Sequence, residues 1–275
     1  MTRVIRDLLT ISRPVTCLAE SAWTLVGIHL TARYALPLDI AAAVVSMALL
    51  TAAAQAFNDA QDVAVDARTR SHRPLPAGRI SVRQAKLYCY ACVVTAVSLA
   101  ATVNVILTCY AAVIASVSLA YSKYLKRIPL IGNLTVAITA SSPASYGAAA
   151  TGSSNAVIWV GTAMIFWQML GYEVLKDIRD RPEDVHSGLR SLATEWIHGQ
   201  LAALIRVSLA LGAAMGIWAG LLTQDSLAYY LICVPLVLVP NIGAAVIASE
   251  EKRNSLARRL IVGSWFPAIM SFWFL

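Results

Sequence analysis

Charge is scarce in this chain: 13% of its 275 residues are Asp, Glu, Lys or Arg, about half the share of an ordinary soluble domain. Together with a hydrophobic fraction of 58% and a mean hydropathy of +0.66, this excludes a soluble globular domain and describes a polytopic membrane protein. Alternating apolar and polar strand segments are also missing, which excludes a transmembrane barrel. Helices are then the fold for every crossing, because lipid-exposed backbone has to satisfy its own hydrogen bonds. Cysteines are few and odd in number: Cys17, Cys89, Cys92, Cys109 and Cys233. They lie in apolar stretches, so they read as free thiols packed as small hydrophobes rather than as a disulfide framework. Cys89 and Cys92 have C-x-x-C spacing, but no second pair or neighbouring His completes a zinc site.

What is present is a succession of apolar runs. Taking about 20 residues for a crossing gives nine spans, near 14–33, 39–57, 83–102, 104–122, 130–150, 156–176, 198–221, 226–248 and 258–275. Arg3, Arg6 and Arg13 ahead of the first run imitate a signal peptide, but the run contains Glu20 and leads into further spans, so it is expected to be a retained first helix. Nine spans put the loops after helices 2, 4, 6 and 8 on the side of the N-terminus. Of the 22 Lys and Arg, only Arg33 falls on the other side, and the connections 102–103, 151–155 and 223–225 carry no positive charge. The positive-inside rule therefore predicts a plasma-membrane protein with its N-terminus and even-numbered loops cytoplasmic. The net charge of +7 is this loop asymmetry, and no nucleic-acid partner is implied.

The cytoplasmic side holds two long polar connections, 58–82 and 177–197, each opening on acidic residues after an even-numbered helix. The repetition suggests a weak internal duplication within a single domain, 1–275. Residues three and four apart share a helix face, so Asn58, Asp62 and Asp66, with Asp59 beside them, are expected to form one acidic stripe. Glu173, Asp177, Asp180 and Asp184 form a second, and Pro182 is expected to interrupt that helix near Arg181. Carboxylates in such number at a membrane edge are costly. The cation that suits them is Mg²⁺, which takes oxygen ligands, keeps water and is commonly shared with substrate phosphates. Asn58, Asp59, Asp62, Asp66, Asp177, Asp180 and Asp184 are the candidate ligands. Arg68, Arg70 and Arg73 follow the first cluster, Lys176, Arg179, Arg181 and Arg190 surround the second, and Lys123, Lys126 and Arg127 lie between. Such cations can neutralise a diphosphate, although membrane orientation also accounts for any one of them.

The run Asn58-Asp59-x-x-Asp62-x-x-x-Asp66, continuing through Arg73-Pro74-Leu75-Pro76-Ala77-Gly78-Arg79, resembles the first signature of the UbiA-type intramembrane prenyltransferase superfamily. Glu173-Val174-Leu175-Lys176-Asp177-Ile178-Arg179-Asp180, followed by Asp184 and Gly188, resembles the second. Tyr121 to Arg127 leading to Gly132-Asn133, and Arg13-Pro14-Val15, are shorter matches. Within the superfamily the likeness is to the branch containing digeranylgeranylglyceryl phosphate synthases, except that Thr16 stands where that branch commonly has Asn; membrane-bound terpene cyclases share both acidic motifs.

The resemblance implies an all-α bundle of nine spans around a central cavity, with the acidic motifs at the cytoplasmic ends of helices 2 and 6. It implies Mg²⁺-dependent ionisation of a long isoprenyl diphosphate, with Asp62, Asp66, Asp177 and Asp180 at the reaction centre. Arg68, Arg73, Lys123, Lys126 and Lys176 would hold the diphosphate. Pyrophosphate is released, and the allylic cation is captured by a lipophilic acceptor in the membrane or by its own distal double bond. Thr16, Phe57, Tyr146, Phe166, Trp167 and Tyr172 are candidates for the cavity lining, where aromatic faces stabilise passing positive charge; the same aromatics equally fill helical cores. Glu20 could accept a proton from an acceptor hydroxyl or instead pair with Arg13. Pro143, among Ser141, Ser142 and Ser145, predicts a kink in the fifth span.

Overall fold

The apolar runs fold as helices in the computed structural model, which describes residues 2–31, 36–223, 226–248 and 251–275. Arg33, and the 224–225 part of the uncharged 223–225 connection, lie outside the described residues. No strand occurs among the described residues. The helices are α1 (Thr2–Ser12), α2 (Pro14–Thr31), α3 (Pro37–Gln61), α4 (Val63–Thr69), α5 (Val82–Val103), α6 (Val105–Lys123), α7 (Ile131–Ala150) and α8 (Ala156–Ser187). They continue with α9 (Leu192–Glu195), α10 (His198–Leu221), α11 (Leu227–Cys233), α12 (Val239–Ile247) and α13 (Asn254–Phe272). A wide π turn at Val234–Leu238 joins α11 to α12.

Six segments are long and apolar enough to cross a membrane: α3, α5, α6, α8 to His186, α10 and Leu227–Ile247. The other three expected spans are helical but more polar. Glu20 and His29 lie on α2, Asn133 and a Ser/Thr-rich stretch on α7, and Arg258 and Arg259 on α13. Among the described residues, the protein is an all-helical integral membrane fold.

Capping side chains set several boundaries. Ser81 accepts from the Gln84 amide at 3.2 Å while its own amide donates to Gln84 Oε1 at 2.8 Å, a reciprocal cap that starts α5. Between α5 and α6 one extended residue, Asn104, suffices. Its Oδ1 caps α6 at the Leu107 amide (2.8 Å), and its Nδ2 donates to the carbonyls of Ala149 and Ala150 at 3.0 and 3.1 Å. Pro143 deprives the Thr139 carbonyl of its usual amide donor. Ser142 Oγ donates to that carbonyl at 2.7 Å instead, and α7 runs on. Pro182 likewise fails to stop α8, which continues to Ser187 and ends at Gly188, so Asp184 belongs to the helix rather than to a loop.

Contacts divide the chain into two units. The first takes α1, α2 as far as Ile28, α3 to α6, and α7 from Tyr146. Here α3 packs against α5, α6 and α1, and Ile11, Ala53, Phe57, Leu75, Ile80 and Cys89 share one apolar cluster. Gly147 is required at one crossing: a Cβ there would lie 2.0 Å from the Thr24 carbonyl oxygen of α2. The second unit takes the last turn of α2, residues 124–145 and the described residues from Ser154 on. There α8 packs against α10, α13 and α9, with Val174, Leu175, Leu201, Ile205 and Ile261 at the core. Cys89, Cys92 and Cys233 are buried free thiols, as expected of small hydrophobes.

Candidate active site

The last turn of α3 presents Asn58 and Asp59, but the acidic stripe is not one regular helix. Asp62 is the residue at which α3 stops, and α4 begins at Val63. The break is local: the Asp66 amide still donates to the Asp62 carbonyl at 2.8 Å, and Asn58 Nδ2 donates to Asp62 Oδ2 at 3.0 Å. Asp59 and Asp66 are buried, with side chains 7% and 4% exposed.

Both are held by guanidinium groups. Arg73 Nη1 lies 2.8 Å from Asp66 Oδ2 and 3.5 Å from Asp59 Oδ1. Arg70 is 3.4 Å from the other Asp66 oxygen, and Arg13 Nη2 donates to Asp59 Oδ1 at 2.8 Å. Arg73 is fixed by sequence-local means. Pro74 and Leu75 are buried, and the chain from Arg70 to Arg79 is a run of turns closed by the Ala77 amide on the Arg73 carbonyl (3.0 Å) and the Arg79 amide on the Pro74 carbonyl (3.0 Å). Arg79 then pairs with Asp7 of α1 at 3.0 Å.

In the second unit, Asn133 Nδ2 donates to Asp177 Oδ2 at 2.9 Å. Lys176 pairs with the buried Glu173, and Arg179 chelates Asp180. Gly132 lets α7 begin against the turn at Leu125–Arg127, where a Cβ would meet the Leu125 and Lys126 carbonyl oxygens at 3.2 and 3.3 Å. That close approach places Lys126 at the foot of the helix carrying Asn133.

The remaining candidates separate by exposure. Arg68, Lys123 and Lys126 are exposed, and Thr16, Glu20, Phe166, Trp167 and Tyr172 are partly accessible. Phe57 and Tyr146 lie in packed clusters instead of on an open wall. Phe57 is 5% exposed, and Tyr146, fully buried, places its hydroxyl 2.6 Å from Ser46 Oγ. Since the Ser46 proton goes to the Ala96 carbonyl (2.8 Å), Tyr146 is the donor. Packing explains both positions, because large aromatics between apolar helices bury more surface than they would on a wall. Arg13 pairs with Asp59, not with Glu20.

Two residues outside the expected ligand set stand out, Arg13 and Asn133. Each had a signal in the sequence, since each falls in a short family-like motif, yet neither has an acidic neighbour in sequence to reveal its partner.

The donor set fits Mg²⁺. All candidates are hard oxygen donors, and two carboxylate oxygens from Asp59 and Asp66 already converge on one cationic nitrogen. Among the described residues no three acidic, His or Cys side chains converge closely enough to hold an ion alone.

A family model for the UbiA prenyltransferase family matches residues 21–275. The chain is 35% identical over 242 residues, 87% of each protein, to a digeranylgeranylglyceryl phosphate synthase of Halobacterium salinarum. It is 27% identical over 271 residues, 98% of each, to that of Methanopyrus kandleri. Among solved structures, one concerning digeranylgeranylglyceryl phosphate synthase in membranes superposes with a TM-score of 0.82 at 19% identity, covering 99% of this chain and 98% of that one. A UbiA homologue from Archaeoglobus fulgidus bound to GPP and Mg²⁺ gives 0.73 at 19% identity, covering 96% and 99%. A match over nearly the whole chain means that this protein belongs to the UbiA prenyltransferase family.

Proposed function

We propose that the protein transfers a long isoprenyl group from its diphosphate to a hydroxyl of a glycerol-phosphate lipid, in a Mg²⁺-dependent reaction that releases pyrophosphate. The observation that carries the acceptor is the 35% identity over 242 residues to a digeranylgeranylglyceryl phosphate synthase. The family fixes the prenyl chemistry, and the positive charge of the even-numbered loops supports a cytoplasmic active site.

Asn58, Asp59, Asp62 and Asp66 are the residues that would hold metal in the first unit, and Asp177, Asp180 and Asp184 those that would do so in the second. When bound, Mg²⁺ supplies positive charge to the diphosphate and so favours departure of pyrophosphate. Arg73 and Lys126 add fixed positive charge as the leaving group develops its own, and Arg68, Lys123 and Lys176 extend that field. Arg13 and Asn133 hold Asp59 and Asp177 in place, so that these carboxylates need not reorganise during ionisation. Partly accessible Phe166, Trp167 and Tyr172 offer aromatic faces that favour a passing allylic cation and disfavour water.

The test uses purified protein in lipid with geranylgeranyl diphosphate and Mg²⁺. Asp62→Ala and Asp180→Ala are each expected to lower pyrophosphate release by at least about 100-fold, the scale of losing a group that stabilises transition-state charge. Wild-type release in either variant removes that carboxylate from the reaction. Ether product should require a glycerol-phosphate lipid bearing one isoprenoid chain; a cyclic hydrocarbon formed without any acceptor overturns the transfer reading.

A further inference from the structure

Helix α2 carries a line of polar groups through what is otherwise an apolar span: Arg13 at its start, then Thr16, Glu20 and Thr24 at intervals of three and four. Val15 and Leu18, 82% and 71% exposed, mark the outward side of the helix. At about 100° per residue, Glu20 projects from roughly the opposite side, towards protein. On that side Trp23 is 7% exposed and Thr24 is fully buried. Glu20 lies deep among protein atoms, yet it and Thr16 retain accessible surface. Both therefore keep accessible surface on the side of α2 away from Val15 and Leu18.

The Glu20 carboxylate receives no hydrogen bond or ion pair from any described residue. An unpaired acid at this depth is expensive, and such residues mark functional sites far more often than structural ones. Its height is set by the helix. Arg13, at the start of α2, holds Asp59 of the acidic cluster at 2.8 Å. Six residues at 1.5 Å rise from Pro14, the first residue of α2, put Glu20 about 9 Å along the axis. A diphosphate held at that cluster, with its first carbon pointing into the membrane, would extend towards this carboxylate.

We propose that Glu20 is the general base of the transfer step, taking the proton from the acceptor hydroxyl as the ether bond forms. This rests on the reading that the acceptor is a lipid alcohol. The bond between C1 and the diphosphate oxygen breaks, and its electron pair leaves with pyrophosphate. The acceptor oxygen bonds to C1, its proton passes to the Glu20 carboxylate, and the resulting carboxylic acid returns that proton to water when the site opens. No oxidant or further reactant is needed. Thr16, one turn nearer Arg13 on the same inward side, lines the same approach.

The experiment separates ionisation from capture. Wild type, Glu20→Gln and Glu20→Asp, reconstituted in phosphatidylcholine vesicles with Mg²⁺ and geranylgeranyl diphosphate, are assayed for pyrophosphate release without acceptor and for ether product with geranylgeranylglyceryl phosphate. Glu20→Gln should lose about 100-fold in ether formation, the usual contribution of a positioned base, while acceptor-independent release stays within twofold. Glu20→Asp should recover part of the loss. An acceptor analogue with fluorine beside the hydroxyl, whose proton is more acidic, should restore ether formation in Glu20→Gln more than in wild type. Wild-type ether formation by Glu20→Gln overturns the proposal. So does a parallel loss of release and ether formation with no recovery by the acidic acceptor. A wild type that releases pyrophosphate but forms no ether overturns the acceptor reading itself, and the base role with it.

Discussion

Replacing Gly147 by alanine tests the tightest helix crossing in the first unit. The added Cβ would lie 2.0 Å from the Thr24 carbonyl oxygen, 2.9 Å from the Thr24 carbonyl carbon and 3.0 Å from the Ile28 amide nitrogen. All three are backbone atoms, so no side chain can rotate away. Restoring ordinary van der Waals separation of about 3.5 Å requires the two helices to part by roughly 1.5 Å. A gap of that size forfeits half or more of the dispersion energy of each facing atom pair. The expected cost is about 3 kcal/mol, the upper end of overpacking penalties. In a thermal melt of detergent-solubilised protein, at about 2–4 °C per kcal/mol for a domain approaching this size, Gly147→Ala should melt roughly 6–12 °C below wild type. Gly263→Ala is the control: it lies in α13 with nothing within 4 Å of its would-be Cβ, so it should gain about 1 kcal/mol from helix propensity alone. If Gly147→Ala melts within 2 °C of wild type, the close approach of α7 and α2 is not what holds this part of the fold.

Asn133→Ala removes the donor that orients Asp177 and should raise the Mg²⁺ concentration giving half-maximal pyrophosphate release about tenfold, as loss of a ligand-orienting partner does at metal sites. An unchanged Mg²⁺ requirement would sever Asn133 from the site. Asn104→Ala loses the α6 cap and two bonds to the end of α7. At about 1 kcal/mol per cap and 0.5–1.5 per further bond, it should lower the unfolding free energy by roughly 3 kcal/mol. Tyr146→Phe should cost about 1 kcal/mol and leave turnover alone, because Ser46 keeps its bond to Ala96 and the ring stays packed; a selective loss of turnover would return Tyr146 to the reaction chamber.

The helical character of the chain was readable because hydropathy is a local property and each apolar run carries its own signal. Features that depend on distant partners were not. Asn58, Asp62 and Asp66 have the spacing of one helix face, yet α3 ends at Asp62, in a chain whose buried Asp59 and Asp66 are both tied to Arg73. Arg13 and Asp59 are 46 residues apart, and no periodicity connects them. Pro182 reads as a break and Pro143 as a kink because the lost amide is visible in sequence. Compensation is not: at Pro143 it comes from the rotamer of Ser142. Helix α1 was legible in retrospect from Val4, Leu8 and Ile11, which pack on the first unit's core, but Arg3, Arg6 and Arg13 around them look like the flank of a leader.

Arg13 occupies a left-handed backbone conformation, φ 51, a region that glycine and asparagine enter at far lower cost than arginine. Pro14 restricts it further. Laboratory evolution should therefore push this position in opposite directions. Selection for heat resistance alone should drift towards glycine, which relieves the backbone, whereas selection for turnover should keep arginine for its grip on Asp59. A population passed alternately through both filters would record, at one codon, how much stability the lineage gives up for its chemistry.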